Sequence, residues 1–163
     1  MELQQEISQL AAELGAILAD KGIWITTAES CTGGGISYAL TDTARSSRYI
    51  DRCFVTYSNE AKQALLGVSA TTLANFGAVS EQTVIEMAQG AALAANAQLA
   101  ISVSGIAGPG GGSTDKPVGT VWFAITLDDK TQSLKRIFNG SRSEVRVQAI
   151  VFALKKLIEI IKN

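Results

Sequence analysis

The chain has 163 residues, of which 47% are hydrophobic and 18% are charged, and its formal net charge is −1. This length and apolar content are typical of one globular domain, so we expect residues 1–163 to form a single domain. A charge balance this close to neutral argues against the basic surface with which nucleic-acid-binding proteins neutralise phosphates. The apolar stretches are too short to cross a bilayer, and the N-terminus does not resemble a signal peptide. We therefore expect a cytoplasmic protein whose partners include neither nucleic acid nor a membrane.

The sequence contains no histidine. This absence excludes a Ser-His-Asp triad and removes the commonest metal ligand. The two cysteines, Cys31 and Cys53, lack CxxC spacing and predict neither a zinc site nor a disulfide framework. A base that acts near pH 7 must therefore be a carboxylate, a lysine of lowered pKa, a tyrosine or a thiolate.

Hydrophobic periodicity and turn residues predict helices that alternate with strands. The first element is an amphipathic helix over residues 3–21, which ends at Gly22. The later elements are a strand at 24–28, a helix ending near 40, a strand at 52–57, a helix capped by Ser58, a helix at 80–96, strands at 99–104, 120–127 and 132–138, and a helix at 141–162. This order predicts an α/β fold with three layers, α/β/α, in which helices cover both faces of a mixed sheet.

Ser30 is the first candidate for chemistry, because it lies in a tight turn between a predicted strand and a predicted helix. Such a turn exposes a side chain and directs main-chain amides at an anion. The turn lacks the G-x-S-x-G pattern, so Ser30 or Thr32 as a simple helix cap is the alternative. We expect the neighbouring Cys31 to be a buried thiol, since no histidine is present to remove its proton.

Lys62 and Glu60 are the candidate bases, because they follow a strand end that could lie on the same rim of the sheet as Ser30. A lysine must be neutral to act as a base, which requires its pKa to fall by about three units, and burial can supply that change. The alternative is an ordinary solvated lysine. Tyr57 could hydrogen bond to the lysine or the serine, or it could be a packing residue.

The segment from Gly105 to Gly119 is rich in glycine and holds both prolines, which predicts a loop. It fits neither a P-loop nor a dinucleotide-binding motif, because a strand follows it. Its amides could hold an anion or an oxyanion, or the segment could be a plain connection.

Arg142 and Arg146 lie in the first turns of the last predicted helix, where the helix dipole disfavours positive charge. Two partners could compensate this positive charge. Glu144 could neutralise part of the charge, or the two guanidinium groups could clamp a phosphate or carboxylate ligand.

Four segments together resemble one known family, and in chain order they are Thr27–Gly34, Thr56–Lys62, Ser104–Pro109 and Lys116–Thr120. On these motifs the chain resembles the CinA C-terminal domain family, whose members hydrolyse nicotinamide mononucleotide to nicotinic acid mononucleotide and ammonia. The resemblance implies a stand-alone amidase domain, without the molybdopterin-binding-like domain of some members. It also implies a homodimer.

The resemblance implies Ser30 as the nucleophile, Lys62 as its base and Tyr57 as a supporting residue. Ser30 would attack the amide carbon to form an acyl-enzyme that water then cleaves, with neither a cofactor nor a metal. The residues expected to contact the mononucleotide are Thr32, Gly33, Gly34, Ser104, Gly105, Arg142 and Arg146.

Ser141 departs from the family pattern, in which this position is usually an aspartate. If the position caps the last helix, serine replaces aspartate with little loss, as the pairing of Ser141 with Glu144 suggests. If it orients Arg142 or binds the ribose, substrate binding suffers. Two alternatives to the amidase therefore stay open: a weak or inactive nucleotide-binding paralogue, and a serine-lysine hydrolase of another amide or peptide.

Overall fold

The computed structural model describes residues 2–163, which form six α-helices and five strands. The helices are α1 (Glu2–Lys21), α2 (Gly35–Thr41), α3 (Asn59–Leu66), α4 (Ala70–Phe76), α5 (Glu81–Ala95) and α6 (Arg142–Lys162). The strands are β1 (Ile25–Glu29), β2 (Phe54–Val55), β3 (Leu99–Gly105), β4 (Thr120–Leu127) and β5 (Lys130–Ile137). No helix in this part of the chain combines the length and the apolar character needed to cross a membrane.

The five strands form one mixed sheet in the order β2-β1-β3-β4-β5. The first three neighbours run parallel, whereas β4 and β5 continue the sheet in antiparallel fashion. Helices α1, α2 and α6 contribute to the apolar core on one face, and α3, α4 and α5 contribute to the core on the other. The predicted three-layer α/β/α fold with a mixed sheet is confirmed.

Strand β3 shows how the sequence divides the two cores. Leu99, Ile101 and Val103 belong to the core beneath α1 and α6, while Ala100 belongs to the core beneath α5. Alternate residues of a strand point to opposite faces, so one face carries large side chains and the other small ones. The small side chains let α5 pack closely on the sheet.

The carboxyl ends of β1, β2 and β3 meet at one edge of the sheet. The chain passes from β1 to β2 through α2 on one face, and from β2 to β3 through α3, α4 and α5 on the other. In open α/β sheets the crevice at such a reversal of direction is where ligands bind. Ser30, Thr56 and Gly105 lie at this edge, because each follows or ends one of the three strands.

One local prediction differs from the structure, and two short elements were not predicted. The strand predicted at 52–57 is reduced to Phe54–Val55, because the chain turns after Val55 towards the helix that Ser58 caps. Neither the short 3-10 turn at Ser46–Arg48 nor α4 was predicted. The two segments have three and seven residues, which is too short to produce a clear hydrophobic period.

Candidate active site

Ser30 and Lys62 meet in the interior of the protein at the carboxyl edge of the sheet. Lys62 Nζ lies 3.1 Å from Ser30 Oγ, although the two residues are 32 positions apart in the chain. Their exposed fractions are 7% for Ser30 and 1% for Lys62. The structure thus brings the proposed nucleophile and base within hydrogen-bond reach, whereas Glu60 is exposed on the first turn of α3. The reading of Lys62 as a solvated lysine is wrong.

Two main-chain carbonyl groups complete the surroundings of the Lys62 amine. Lys62 Nζ donates to the carbonyl oxygens of Thr56 at 2.9 Å and Tyr57 at 3.2 Å. A neutral amine has two hydrogens and one lone pair, so these two acceptors leave the lone pair facing Ser30. Burial lowers the pKa of Lys62 from its ordinary value of 10.5, which favours this neutral form.

Tyr57 lies beside the pair, but its hydroxyl group faces away from it. The side chain is 64% exposed, and its hydroxyl accepts a hydrogen bond from Arg142 Nη2 at 3.3 Å. Contact with the pair is made by the main-chain carbonyl, which accepts from Lys62 and lies 3.5 Å from Ser30 Oγ. The expectation of a hydrogen bond from the tyrosine side chain is corrected to one through its carbonyl oxygen.

The turn after β1 contains two glycines with positive φ, Gly33 at 60° and Gly34 at 97°. Gly34 is the N-cap of α2 and offers no side chain for capping, so the reading of Ser30 or Thr32 as the cap is wrong. The Gly33 amide donates to the Ser30 carbonyl at 3.0 Å and is used within the turn. Within residues 2–163, the amides of Thr32 and Gly34 donate to no protein acceptor. These amides are available to an incoming group.

Glu29 is a feature of the site that sequence reasoning missed. Its side chain is buried and accepts hydrogen bonds from the Thr32 hydroxyl at 2.6 Å and from the amides of Ile36 at 2.8 Å and Ser37 at 2.9 Å. The signal was available in principle: an acidic residue ends an otherwise uncharged strand, directly before the first free amides of a helix.

The thiol of Cys31 is buried next to Ser30. Burial raises the pKa of the Cys31 thiol to about 12, and the nearby Glu29 acts in the same direction. The thiol therefore stays protonated at neutral pH and is a poor nucleophile. This agrees with the expectation of an unreactive, buried cysteine.

The two arginines of α6 reach towards the same edge of the sheet. Arg142 Nη1 donates to the Gly108 carbonyl at 2.8 Å, and Arg146 Nε donates to the Cys31 carbonyl at 3.0 Å. Arg146 also lies over Gly33, where an added Cβ would come within 3.1 Å of its guanidinium group. Carbonyl groups of two loops thus face positive charge at the start of α6.

Glu144 does not neutralise these arginines, so the first of the two expected compensations is wrong. Its carboxylate accepts from the Ser141 amide at 3.1 Å, and the Ser141 hydroxyl accepts in turn from the Glu144 amide at 3.3 Å. This reciprocal capping box lowers the pKa of Glu144. No ion pair joins either arginine to a carboxylate in the part of the chain that the structure describes.

Ser104 and Gly105 end β3 next to β1, which places them beside the turn that carries Ser30. Ser104 is buried, and a Cβ at Gly105 would lie 2.7 Å from Val121 Cγ2, so glycine is needed there for packing against β4. The glycine-rich loop follows as predicted. Its far part is fixed by Lys116, whose Nζ donates to the Phe76 carbonyl at 2.7 Å. Residues 2–163 contain no cluster of three or more acidic, cysteine or histidine side chains able to hold a metal ion.

Both the sequence and the fold have close relatives among known proteins. Residues 7–161 match the model of the CinA C-terminal domain family. The chain is 56% identical over 162 residues to the nicotinamide-nucleotide amidohydrolase PncC of Enterobacter agglomerans, covering 98% of this chain and 99% of that one. Identity to the PncC protein of Escherichia coli K12 is 52% over 153 residues, or 93% of each chain.

Solved structures give the same result. The competence/damage inducible protein CihA of Agrobacterium tumefaciens has a TM-score of 0.93 at 44% identity, covering 97% of this chain and 96% of that chain. A CinA superfamily protein of Klebsiella pneumoniae 700603 also has a TM-score of 0.93, at 40% identity, covering 96% and 98%. The chain therefore belongs to the CinA C-terminal domain family.

Proposed function

We propose that this protein hydrolyses the carboxamide of nicotinamide mononucleotide, releasing ammonia and nicotinic acid mononucleotide, through an acyl-enzyme on Ser30. The proposal is supported by the relatives named nicotinamide-nucleotide amidohydrolase, which match the chain over almost its whole length. The observation that carries the mechanism is the buried contact of 3.1 Å between Lys62 Nζ and Ser30 Oγ.

The first half of the reaction is acylation. Neutral Lys62 takes the proton of the Ser30 hydroxyl as Oγ attacks the amide carbon, and a tetrahedral intermediate forms. The carbon–nitrogen bond then breaks, the Lys62 ammonium returns its proton to the departing nitrogen, and ammonia leaves. Ser30 is left carrying the acyl group as an ester.

The second half is hydrolysis of that ester. Lys62 is neutral again and removes a proton from a water molecule, whose oxygen attacks the same carbon. The bond to Ser30 Oγ breaks, Oγ recovers its proton from Lys62, and the acid is released. The carbonyl oxygens of Thr56 and Tyr57 support both halves, because they hold the amine with its lone pair towards the reacting atoms.

The negative oxygen of each tetrahedral intermediate needs hydrogen-bond donors. Of the glycines expected at the site, Gly33 is committed elsewhere, because its amide donates within the turn. Gly34 and Gly105 remain, together with the amide of Thr32. We assign the oxyanion to this group of free amides.

The substrate phosphate is assigned to Arg142 and Arg146. Both side chains point to the edge of the sheet where Ser30 lies, and guanidinium groups suit phosphate oxygens. Thr32 contributes only its amide, because its hydroxyl is held by Glu29. Ser141 forms the cap of α6, so the departure from aspartate does not favour a binding paralogue that lacks catalysis.

The test is release of ammonia and of the acid product from nicotinamide mononucleotide by the purified protein. Ser30→Ala and Lys62→Met should each abolish release, while the exposed controls Ser47→Ala and Lys155→Met should retain it. Hydroxylamine added during turnover should intercept the acyl-enzyme as a hydroxamate. Binding without ammonia release would favour the inactive paralogue, and turnover of other amides but not this one would favour the third alternative.

A further inference from the structure

Glu29 is an unusual carboxylate in this protein, because it is 0% exposed and yet no lysine or arginine among residues 2–163 forms an ion pair with it. Its partners are hydroxyl and amide groups. One oxygen accepts from the Thr32 hydroxyl at 2.6 Å and the Ile36 amide at 2.8 Å. The other accepts from the amide and hydroxyl of Ser37 at 2.9 and 2.5 Å. Burying a charge is costly unless its hydrogen bonds are satisfied, and here both oxygens are occupied.

These partners enclose the turn that follows Ser30. Thr32 lies inside the turn, and Ile36 and Ser37 lie in the first turn of α2 beyond it. Between them are Gly33 and Gly34, both with positive φ, and glycine restrains the backbone less than any other residue. A turn of this composition needs bonds from outside to hold one conformation. Glu29 supplies them from the interior, and Arg146 adds one through the Cys31 carbonyl.

Glu29 does not touch the reacting groups. Ser30 and Glu29 are consecutive, but Ser30 contacts Lys62 and the Tyr57 carbonyl, whereas Glu29 contacts α2 and the turn. Glu29 can therefore position the reacting groups through the backbone of the turn that its hydrogen bonds hold.

We propose that Glu29 is the positioning residue of this site: its carboxylate fixes the turn after β1, and so holds Ser30 Oγ and the free amides of the turn in their reactive arrangement. This inference rests on the proposed amidase function. It assigns to Glu29 a task that neither the nucleophile nor the base can perform.

The carboxylate cannot be replaced by an amide of the same shape. Each oxygen of Glu29 accepts a main-chain N–H, from Ile36 on one side and Ser37 on the other. A main-chain N–H cannot be reversed into an acceptor, so the amide nitrogen of a glutamine would face one of these donors without a bond. Glu29→Gln therefore removes the hydrogen bond to one of these two amides, with almost no change in side-chain volume.

The experiment compares Glu29→Gln with Glu86→Gln, a matched control. Glu86 likewise accepts from a main-chain amide, that of Ser69 at 2.8 Å, and from the hydroxyl of Thr72, but it does so at the start of α4. We expect Glu29→Gln to lower kcat by about 10- to 100-fold, the scale of misplaced reacting groups. KM should change by less than about threefold, because the loss concerns the chemical step. Glu86→Gln should keep the kcat of the unmodified protein.

A second variant tests whether the loss of kcat follows the number of hydrogen bonds removed from Glu29. Ser37→Ala removes one hydroxyl donor but leaves both main-chain bonds of the carboxylate in place. It should lower kcat far less than Glu29→Gln does. If Glu29→Gln lowers only the melting temperature, and kcat measured well below that temperature is unchanged, then Glu29 is merely structural and the proposal is wrong.

Hydrogen exchange separates this inference from the proposed function. Amides in residues 30–40 should exchange about tenfold faster in Glu29→Gln, with the rest of the chain unchanged, whether or not the protein acts on nicotinamide mononucleotide. If the protein releases no ammonia but its Glu29→Gln variant shows this local change, the proposed amidase function is wrong and the positioning role of Glu29 in the turn is supported. If Glu29→Gln leaves exchange in residues 30–40 unchanged, the proposal that Glu29 fixes the turn is wrong.

Discussion

Lys62 must be neutral for the proposed chemistry, and its surroundings act in two directions. Burial penalises the ammonium and lowers the pKa of Lys62, while the carbonyl oxygens of Thr56 and Tyr57 can also accept from the charged form. Burial is the largest cause of the shift in the pKa of Lys62, and it acts downward. The same two carbonyls then serve the neutral amine by orienting its lone pair.

This arrangement predicts the pH dependence of the reaction. Below the pKa of Lys62 the amine is protonated and cannot take the Ser30 proton, so activity is lost; above it the amine is neutral and activity is present. The lowered pKa of Lys62 places this rise below its ordinary value of 10.5. Measurements of kcat/KM from about pH 5 to pH 10 should therefore show an acid limb that rises with pH.

Lys62→Arg is the control for that profile. A guanidinium group stays charged at every accessible pH, so this variant should be inactive across the whole range while remaining folded. A flat profile for the unmodified protein, or activity in Lys62→Arg, would contradict a role for Lys62 as the base.

At the scale of elements, α6 begins with the capping box of Ser141 and Glu144. Replacing a capping serine by alanine costs about 1 kcal/mol of the free energy of unfolding, and aspartate caps as well as serine does. We therefore expect denaturant titration to show a loss of this size for Ser141→Ala and almost none for Ser141→Asp. The exposed neighbour Ser143 provides the control, Ser143→Ala.

The same variants test what this position does for the substrate. If Ser141 is only a cap, KM for nicotinamide mononucleotide should be similar in the unmodified protein and in Ser141→Asp. A KM lowered about tenfold or more by the aspartate would instead assign the position to substrate binding, since that change corresponds to more than 1 kcal/mol of binding free energy.

The elements that sequence patterns predicted well are those whose signal is local. Helices α1, α5 and α6 show apolar residues at spacings of three and four, and Ser80 and Ser141 cap them as predicted. Helix α4 was missed because it is short and its start is held by Glu86, which lies 17 residues from Ser69. A contact at that distance leaves no trace in a local pattern.

The site residues likewise fall into those that the local sequence indicates and those that depend on contacts between distant parts of the chain. The position of Ser30 in a strand-to-helix turn can be seen locally, but Lys62 is 32 residues away. The pattern offered Lys62 and Glu60 together as candidate bases on the same rim of the sheet, and the family resemblance selected Lys62. Glu29 was missed because an acidic residue at a strand end is only a weak local signal, and its contacts with Ile36 and Ser37 depend on how α2 packs against β1. The use of the Tyr57 carbonyl, and not its hydroxyl, depends on the turn after β2, which was predicted as strand.

At the scale of the whole molecule, the strand order brings the pair together. Placing β1 between β2 and β3 sets Ser30 beside the start of α3, which carries Lys62. The order itself could not be derived from one sequence, because sheet neighbours are chosen by long-range packing. The homodimer implied by the family resemblance stays a prediction.

The position of α3, and with it Lys62, depends on close contact with α5 at Gly90. A Cβ at Gly90 would lie 1.9 Å from the Leu66 carbonyl oxygen, so any side chain there must push the two helices apart. Because the obstacle is main chain, it cannot move aside as a flexible side chain can. The two layers of the site, sheet and α3, would then shift relative to each other.

We expect Gly90→Ala to reduce both stability and catalysis. Overpacking of this kind costs about 1–3 kcal/mol, which denaturant titration can resolve. A displacement of Lys62 by about 1 Å from Ser30 should lower kcat by about 100-fold even in the folded fraction. Leu93→Ala, at a position of the same helix that is 85% exposed, should change neither quantity. If Gly90→Ala keeps full kcat while losing stability, then the contact of α5 with α3 stabilises the fold without setting the distance between Ser30 and Lys62.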